Sequence, residues 1–360
     1  GLRQLRWAWP QAIGGEMHEV IGSKSSLIAT AASQNRLAAD PATVRDLATE
    51  IEWAKVMQVG PEDYPRVAAL HARRGPAGLS VEQAAEVYDS YERIKRSASR
   101  IDFEDVLLLT VGVLEDRDDL RRQVQASFAH FTVDEYQDVS AVQERLLRVW
   151  LGDRDDVCVV GDVAQTIYSF AGADPSHLLQ FGNRFDGSRV ISLTRCYRCT
   201  PQIVQVAENV LGDGVASAQL LSTTKAKRAP LRSQVEDGPT PAVMQYADEA
   251  SEAAGVVAQI RQLIAAGTSP REIAILVRIN ALTEQFESAL ADAGIAYSVR
   301  GGRRFFDRPE VRKGVSLLRG AARAATTIDQ TPDDTSELVR TILSSAGWTA
   351  LPPTDTGAVR

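Results

Sequence analysis

Sulfur and imidazole are scarce in this chain, with 3 cysteines and 4 histidines in 360 residues. They are too few and too scattered for a zinc framework. Cys196-x-x-Cys199 has metal-like spacing, yet no second Cys or His pair accompanies it. A redox pair, or two incidental residues beside Tyr197 and Arg198, are the readings that stay open. Low cysteine content fits a reducing compartment, so a cytoplasmic location is expected. No apolar run approaches the roughly 20 residues a membrane-spanning helix needs, so no membrane partner is expected. Basic charge is not in excess: 40 Lys and Arg stand against 47 Asp and Glu, a net charge of −7. No global field recruits nucleic acid, and any such contact has to use local patches. The last absence is a motif. GxxxxGK(S/T), the Gly-rich loop whose amides and lysine cradle phosphates, occurs nowhere between Gly1 and Arg360.

What is present centres on residues 131–173, FTVDEYQDVSAVQERLLRVWLGDRDDVCVVGDVAQTIYSFAGA. The apolar run Phe131-Thr132-Val133 ends in an acid pair, Asp134-Glu135. Val139 to Leu151 has helical periodicity, opened by a capping-box pattern of Ser140 and Gln143. A second β-branched run, Val157 to Val160, breaks at Gly161-Asp162 and delivers Gln165, Tyr168 and Phe170. This order predicts a parallel α/β sheet whose strand C-termini carry a site. Asp134 can hold Mg²⁺ through oxygen, and Glu135 can orient a water for attack on a γ-phosphate. Such a pair also commonly just caps the next helix. Gln165 offers a neutral amide that can sense a γ-phosphate. Tyr168 and Phe170, at i and i+2, would share one side of an extended segment, suited to stacking on single-stranded bases or to ordinary core packing.

DEYQD followed by GDVAQTIYSFAGA resembles motifs II and III of the superfamily 1A DNA helicases of the UvrD/PcrA/Rep type. Leu193-Thr194-Arg195-Cys196-Tyr197-Arg198-Cys199-Thr200-Pro201 is similar to motif IV of that family. Within the family the likeness is to an actinobacterial UvrD paralogue. The resemblance implies ATP and Mg²⁺ as cofactors, 3′-to-5′ translocation on single-stranded DNA, and unwinding at single-strand/duplex junctions, in repair or replication. It implies that Arg198 meets the γ-phosphate and that Tyr197 stacks near the adenine. Arg300 to Arg308 resembles the family's GGxxFFxRxE segment, where Arg303 and Arg304 could hold DNA phosphates; a solvated basic turn is the alternative. Ala171 departs from the pattern, since relatives often carry arginine after the aromatic.

The expected architecture is α/β, with RecA-like parallel-sheet motor lobes, both incomplete, and an inserted helical domain. Residues 1–20 read as a remnant of lobe 1A and 21–100 as helical insert 1B, with Asp40-Pro41 and Ser80/Gln83 as helix starts. Trp53 and Tyr64 there are expected to pack. Residues 101–187 resume lobe 1A with motifs II and III. Asp102 heads a helix over 106–114 as its cap, although the family has a similar DFxD segment near DNA. Residues 188–315 form part of lobe 2A, with strands at Val190–Leu193, Val243–Tyr246, Ile273–Val277 and Tyr297–Val299. Residues 316–360 begin insert 2B.

The family's phosphate loop would lie upstream, and its motifs V and VI downstream, so the chain is expected to be a central portion of a helicase and inactive alone. Two other readings stay open. One is the motor part of a helicase-nuclease subunit; the other is a non-catalytic DNA-binding fragment. A transporter-type ATPase is disfavoured by Gln165-x-x-Tyr168-x-Phe170.

Overall fold

A segment becomes a strand only where a neighbouring strand takes up its N–H and C=O groups. In the computed structural model this happens three times among the described residues, each time as a two-stranded parallel pair. The structure describes residues 1–185, 187–213, 230–299, 314–318 and the single residues 339 and 344. It divides into two compact units, Gly1–Pro241 and Ala242–Arg360.

The first unit opens with α1 (Leu2–Ala12) and β1 (Glu19–Val20). Four helices come next: α2 (Ser25–Gln34), α3 (Pro41–Val56), α4 (Tyr64–Leu70) and α5 (Val81–Ser97). Asp40 caps α3 by accepting from the amides of Ala42 and Thr43 at 2.9 and 3.1 Å, with Pro41 at the first helical position. Ser80 and Gln83 form the expected capping box on α5. Ile28, Leu47, Ile51, Tyr64, Val87 and Tyr91 are buried where these helices meet, and Trp53 lies in the same core. Both predicted packing aromatics, Trp53 and Tyr64, are thus core residues.

β2 (Arg100–Ile101) then pairs with β1 in parallel, Val20 opposite Ile101. Asp102 caps α6 (Phe103–Asp116) in a capping box with Asp105. The acidic start extends this helix beyond the predicted 106–114. After α7 (Asp118–Ala126) comes β3 (Phe131–Val133), then α8 (Ala141–Leu151), then β4 (Val157–Val159). β3 and β4 pair in parallel, Phe131 opposite Val157 and Val133 opposite Val159. After Ala173 come two single-turn helices, α9 (Ser176–Leu179) and α10 (Phe181–Arg184). β5 (Arg195–Cys196) leads to α11 (Pro201–Asp213) and pairs with β6 (Arg232–Ser233).

The second unit holds α12 (Glu249–Ala265) and α13 (Thr283–Asp292). Val257, Ile260 and Leu290 form its described core.

Four predicted strands are not strands. Val190–Leu193, Val243–Tyr246, Ile273–Val277 and Tyr297–Val299 are irregular and have no ladder partner among the described residues. Val243 is 99% and Leu276 92% exposed, while Ile273, Ile275 and Tyr297 pack against the Val257, Ile260 and Leu290 core; the alternation there serves a packed face without a ladder partner. Thr200 does not cap α11 through its side chain: its buried hydroxyl has no hydrogen-bond partner, and Pro201 alone opens the helix. Among the described residues no helix is long and apolar enough to cross a membrane.

The four-helix section is joined to α6 by buried charge. The Lys55 ammonium, 2% exposed, lies 2.7 Å from Asp102, 2.5 Å from Asp105 and 3.1 Å from Glu92. Lys95 reaches the same three acids at 2.6 to 3.0 Å. The Tyr91 hydroxyl donates to Asp102 at 2.8 Å. Burial disfavours the charge on Lys55, but Asp102, Glu92 and Asp105 outweigh it and raise its pKa above the usual lysine value. Burial likewise works against the Asp102 carboxylate, and Lys55 and Lys95 outweigh it, holding that carboxyl well below the ordinary range. Lys55→Met, which leaves three acids to one lysine, is expected to destabilise this unit by about 3–5 kcal/mol in urea unfolding followed by circular dichroism. Because the folded pKa of Asp102 is depressed, its contribution is present above the unfolded value of about 3.9 and lost as pH falls below it. The gap between the variant and the unsubstituted chain is therefore expected to narrow below about pH 4.

Candidate functional site

Parallel strands deliver their C-terminal ends to one edge, and β3 and β4 place the acid pair and the Gln165 loop there together. The Tyr136 amide donates to the Val160 carbonyl at 2.9 Å, carrying the pairing one step past the strands. Between them Glu135 takes a left-handed backbone, φ 51° and ψ 40°. For a side-chain-bearing residue this costs about 1–3 kcal/mol and persists only where neighbours over-determine it. The neighbours are visible. Asp134 Oδ1 accepts from the Glu135 amide at 2.9 Å, and the Glu135 carbonyl accepts from the Asp138 amide at 2.9 Å. Both carboxylates remain exposed to solvent.

Gln137 completes the arrangement. Its side chain is fully buried; Nε2 donates to Glu135 Oε2 at 2.7 Å, and Oε1 accepts from the Asp162 amide at 3.0 Å. One amide, donor at one end and acceptor at the other, therefore ties the acid pair to the loop after β4. Gly161 makes room for it, because a Cβ there would fall 2.5 Å from Gln137 Oε1. Asp162 carries the connection on, accepting from the Ala164 amide at 3.0 Å and from Gln165 Nε2 at 3.1 Å.

Behind the site, the buried Tyr136 hydroxyl donates to Glu144 on α8. Glu144 also takes Arg148 at 3.0 Å and Arg184 at 2.7 Å, so α10 is fastened to the same helix. Burial lowers the pKa of His177 beside Arg184 and favours its neutral form.

Tyr168 and Phe170 are not on an extended segment. Tyr168 precedes and Phe170 lies within a single 3₁₀ turn, Ser169–Ala171, so i and i+2 do not share a strand face there. The rings nevertheless come together, centroids 6.3 Å apart at 45°, and stand 52% and 58% exposed. Core packing is thereby excluded for both. The turn rests on the four-helix section. Arg73 donates to the Phe170 carbonyl at 3.5 Å, stacks 4.3 Å over the Trp53 ring, and is ion-paired to Glu50 at 2.6 Å. Gly172, φ 94°, lies so close to α3 that a Cβ would meet Val56 Cγ2 at 2.5 Å.

The structure thus brings Asp134, Glu135, Gln165, Tyr168 and Phe170 onto one continuous piece of chain. Tyr197 and Arg198 lie exposed on the bend between β5 and α11, and no hydrogen bond or ion pair among the described residues joins them to Asp134, Glu135 or Gln165. Arg303 and Arg304 lie outside the described residues. The donor set at Asp134 and Glu135 is hard oxygen, exposed and uncommitted to any lysine or arginine among the described residues, which fits Mg²⁺. Sequence reasoning missed Gln137 and Arg73. Gln137 sat in view inside DEYQD, but only the fold shows that its amide spans two strand ends.

Strand-end acids beside the Gln165 loop define the general class, an α/β protein with small parallel sheets. The family comes from comparison. Residues 17–186 match the UvrD/REP helicase N-terminal domain and residues 191–329 the UvrD-like helicase C-terminal domain. The chain belongs to the UvrD/REP helicase family. It is 44% identical over 359 residues to the ATP-dependent DNA helicase UvrD2 of Mycobacterium tuberculosis (strain ATCC 25618 / H37Rv), covering 99% of this chain and 49% of that protein. It is 32% identical over 237 residues to the putative ATP-dependent DNA helicase YjcD of Bacillus subtilis (strain 168), covering 66% of this chain and 30% of the relative. With PcrA of the same strain identity is 29% over 276 residues, 76% of this chain and 35% of that protein. The chain spans about half the length of the UvrD2 relative.

Gln137→Ala removes both hydrogen bonds of the buried amide. The Asp162 amide is then expected to lose its protection, with hydrogen exchange in peptides over 160–166 at least about tenfold faster while α8 peptides keep their rate. Exchange mass spectrometry decides it; unchanged protection at 160–166 would remove Gln137 as the tie.

Proposed function

We propose that this chain supplies the hydrolytic acids and the single-strand grip of an ATP-dependent, 3′-to-5′ DNA helicase of superfamily 1A. The observation that carries the reading is the hydrogen-bonded run Glu135–Gln137–Asp162–Gln165, which leads directly into an exposed aromatic pair. The printed names of the relatives support the same activity. In this reading residues 1–20 and 101–187 belong to RecA-like lobe 1A, 21–100 to insert 1B, 188–315 to lobe 2A and 316–360 to insert 2B. The substrate is single-stranded DNA and its junctions with duplex, in repair or replication, in the cytoplasm.

Bound Mg–ATP supplies the γ-phosphoryl group and the free energy of its transfer to water. Asp134 would hold the ion through its carboxylate. Glu135, with Oε2 engaged by Gln137, keeps Oε1 to align the attacking water and accept its proton. The left-handed backbone at Glu135 turns its carboxylate out of the strand line at no further reorganisation cost during reaction. Gln165 reads the γ-phosphate from this edge and Arg198 from the β5–α11 bend, with Tyr197 stacking near the adenine. Tyr168 and Phe170 stack on bases, and Arg303 and Arg304 hold backbone phosphates. Because the Gln165 loop and the aromatic turn are one piece of chain, movement at the phosphate end is passed to the bases within a few residues.

Two measurements test this. Tyr168→Ala and Phe170→Ala are each expected to weaken binding of labelled oligothymidine by about 1–3 kcal/mol, roughly fivefold to 150-fold in fluorescence anisotropy. Their thermal unfolding should be unmoved, since both rings are exposed; normal binding would sink the grip. The 360-residue chain, which has no GxxxxGK(S/T) loop, is expected to release no phosphate from ATP. In a longer protein that joins this chain to such a loop, Glu135→Gln should retain ATP binding and slow DNA-stimulated phosphate release at least about a hundredfold. Turnover within a few-fold of the unsubstituted protein would remove Glu135 as the base.

A further inference from the structure

The bend between β5 and α11 carries two thiols three residues apart, and one serine fixes the backbone at both ends. Cys196 lies in β5 opposite Ser233 of β6, and its carbonyl accepts from the Gln234 amide at 2.8 Å. The Cys199 carbonyl accepts from Ser233 Oγ at 2.7 Å. Across the bend the Cys199 amide donates to Cys196 Sγ at 3.5 Å. The contact holds the Cys199 backbone, three bonds from its own sulfur, against the first thiol. Both cysteines are half-buried and free, and Pro201 opens the 13-residue α11 just beyond them. Amide donors and a helix N-terminus favour a thiolate over a thiol. Donation from the amides of Cys199 and Arg198, with a smaller contribution from the Arg198 guanidinium, holds the Cys196 thiol below its ordinary value.

We propose that Cys196 and Cys199 form a reversible disulfide, a redox-modification site in which Cys196 attacks and Cys199 resolves. The co-reactant is a low-molecular-weight disulfide. Cys196 thiolate attacks one of its sulfurs, forming a mixed disulfide and expelling one thiolate. Cys199, losing its proton to solvent, then attacks Cys196 Sγ and expels the second thiolate. The protein gives up two electrons and two protons, and the co-reactant becomes two thiols. The pre-set bend lowers the cost of closing so small a ring. Closure would also immobilise Tyr197 and Arg198, which lie between the two sulfurs. That consequence rests on the nucleotide role proposed above, whereas the disulfide itself does not.

The test is to equilibrate the 360-residue chain in mixtures of glutathione and glutathione disulfide, quench with acid, alkylate, and map the peptides by mass. Cys196 and Cys199 are expected to be lost to alkylation together, as one internally linked peptide, while Cys158 stays free. Cys199→Ser should accumulate glutathione on Cys196, and Cys196→Ser should react at least about tenfold more slowly at position 199. Cys158→Ser should leave the pattern unchanged. Independent alkylation of the two cysteines across the whole range, or Cys199→Ser without a stable adduct on Cys196, would overturn the proposal. Adenine-nucleotide affinity of a loop-containing longer protein, oxidised against reduced, separates the two layers. A linked pair with unchanged affinity keeps the thiol chemistry and discards only its tie to Tyr197 and Arg198.

Discussion

The buried amide of Gln137 is the constraint on which the site edge depends. Strand pairing brings β3 and β4 side by side, but a ladder three residues long does not fix the chain beyond its last rung. Gln137 does so by donating to Glu135 and accepting from the Asp162 backbone, in a space that only a glycine at 161 leaves open. A buried amide left half-satisfied costs more than it contributed, so the two hydrogen bonds stand or fall together. The Glu135 carboxylate and the Asp162 backbone are both held by that one side chain, and Asp162 in turn accepts from Gln165.

The aromatic turn has a second master. Tyr168 and Phe170 are presented to solvent by a turn seated on α3, with Arg73 reaching over Trp53 to the Phe170 carbonyl and Gly172 pressed against Val56. The same α3 carries Lys55 into the acids at the head of α6. The four-helix section is therefore a support for exposed rings on one side and a charge partner on the other. Its rigidity sets how firmly the rings are held.

Much of this was legible beforehand, and for identifiable reasons. Asp40-Pro41, Ser80/Gln83, Ser140/Gln143 and Asp102 marked helix starts because capping is local chemistry written within three residues. Phe131–Val133 and Val157–Val159 were readable as strands because each ends in a turn-forming or acidic break. The four failed strands share the opposite condition: β-branched alternation without a partner to close the ladder, which no single segment can announce. Gln137 and Arg73 were invisible for a related reason, since each acts through a contact far along the chain, 25 and 97 residues away. The exposure of Tyr168 and Phe170 removes core packing, one of the two readings that composition left level.

The β1–β2 pair has a consequence for how such a chain tolerates change. Val20 and Ile101 sit side by side, so the whole four-helix section leaves and returns through adjacent doors. A segment with neighbouring ends behaves as a cartridge: lengthening, trimming or exchanging it need not disturb the surrounding sheet, because loop-closure entropy changes only slowly with length. The cartridge is nevertheless keyed. Any replacement would have to present two ammonium groups, where Lys55 and Lys95 now stand, to the three carboxylates of Glu92, Asp102 and Asp105, or bring a substitute for Glu92 and balance the remaining pair. Variation in this region is thus free in size and restricted in charge.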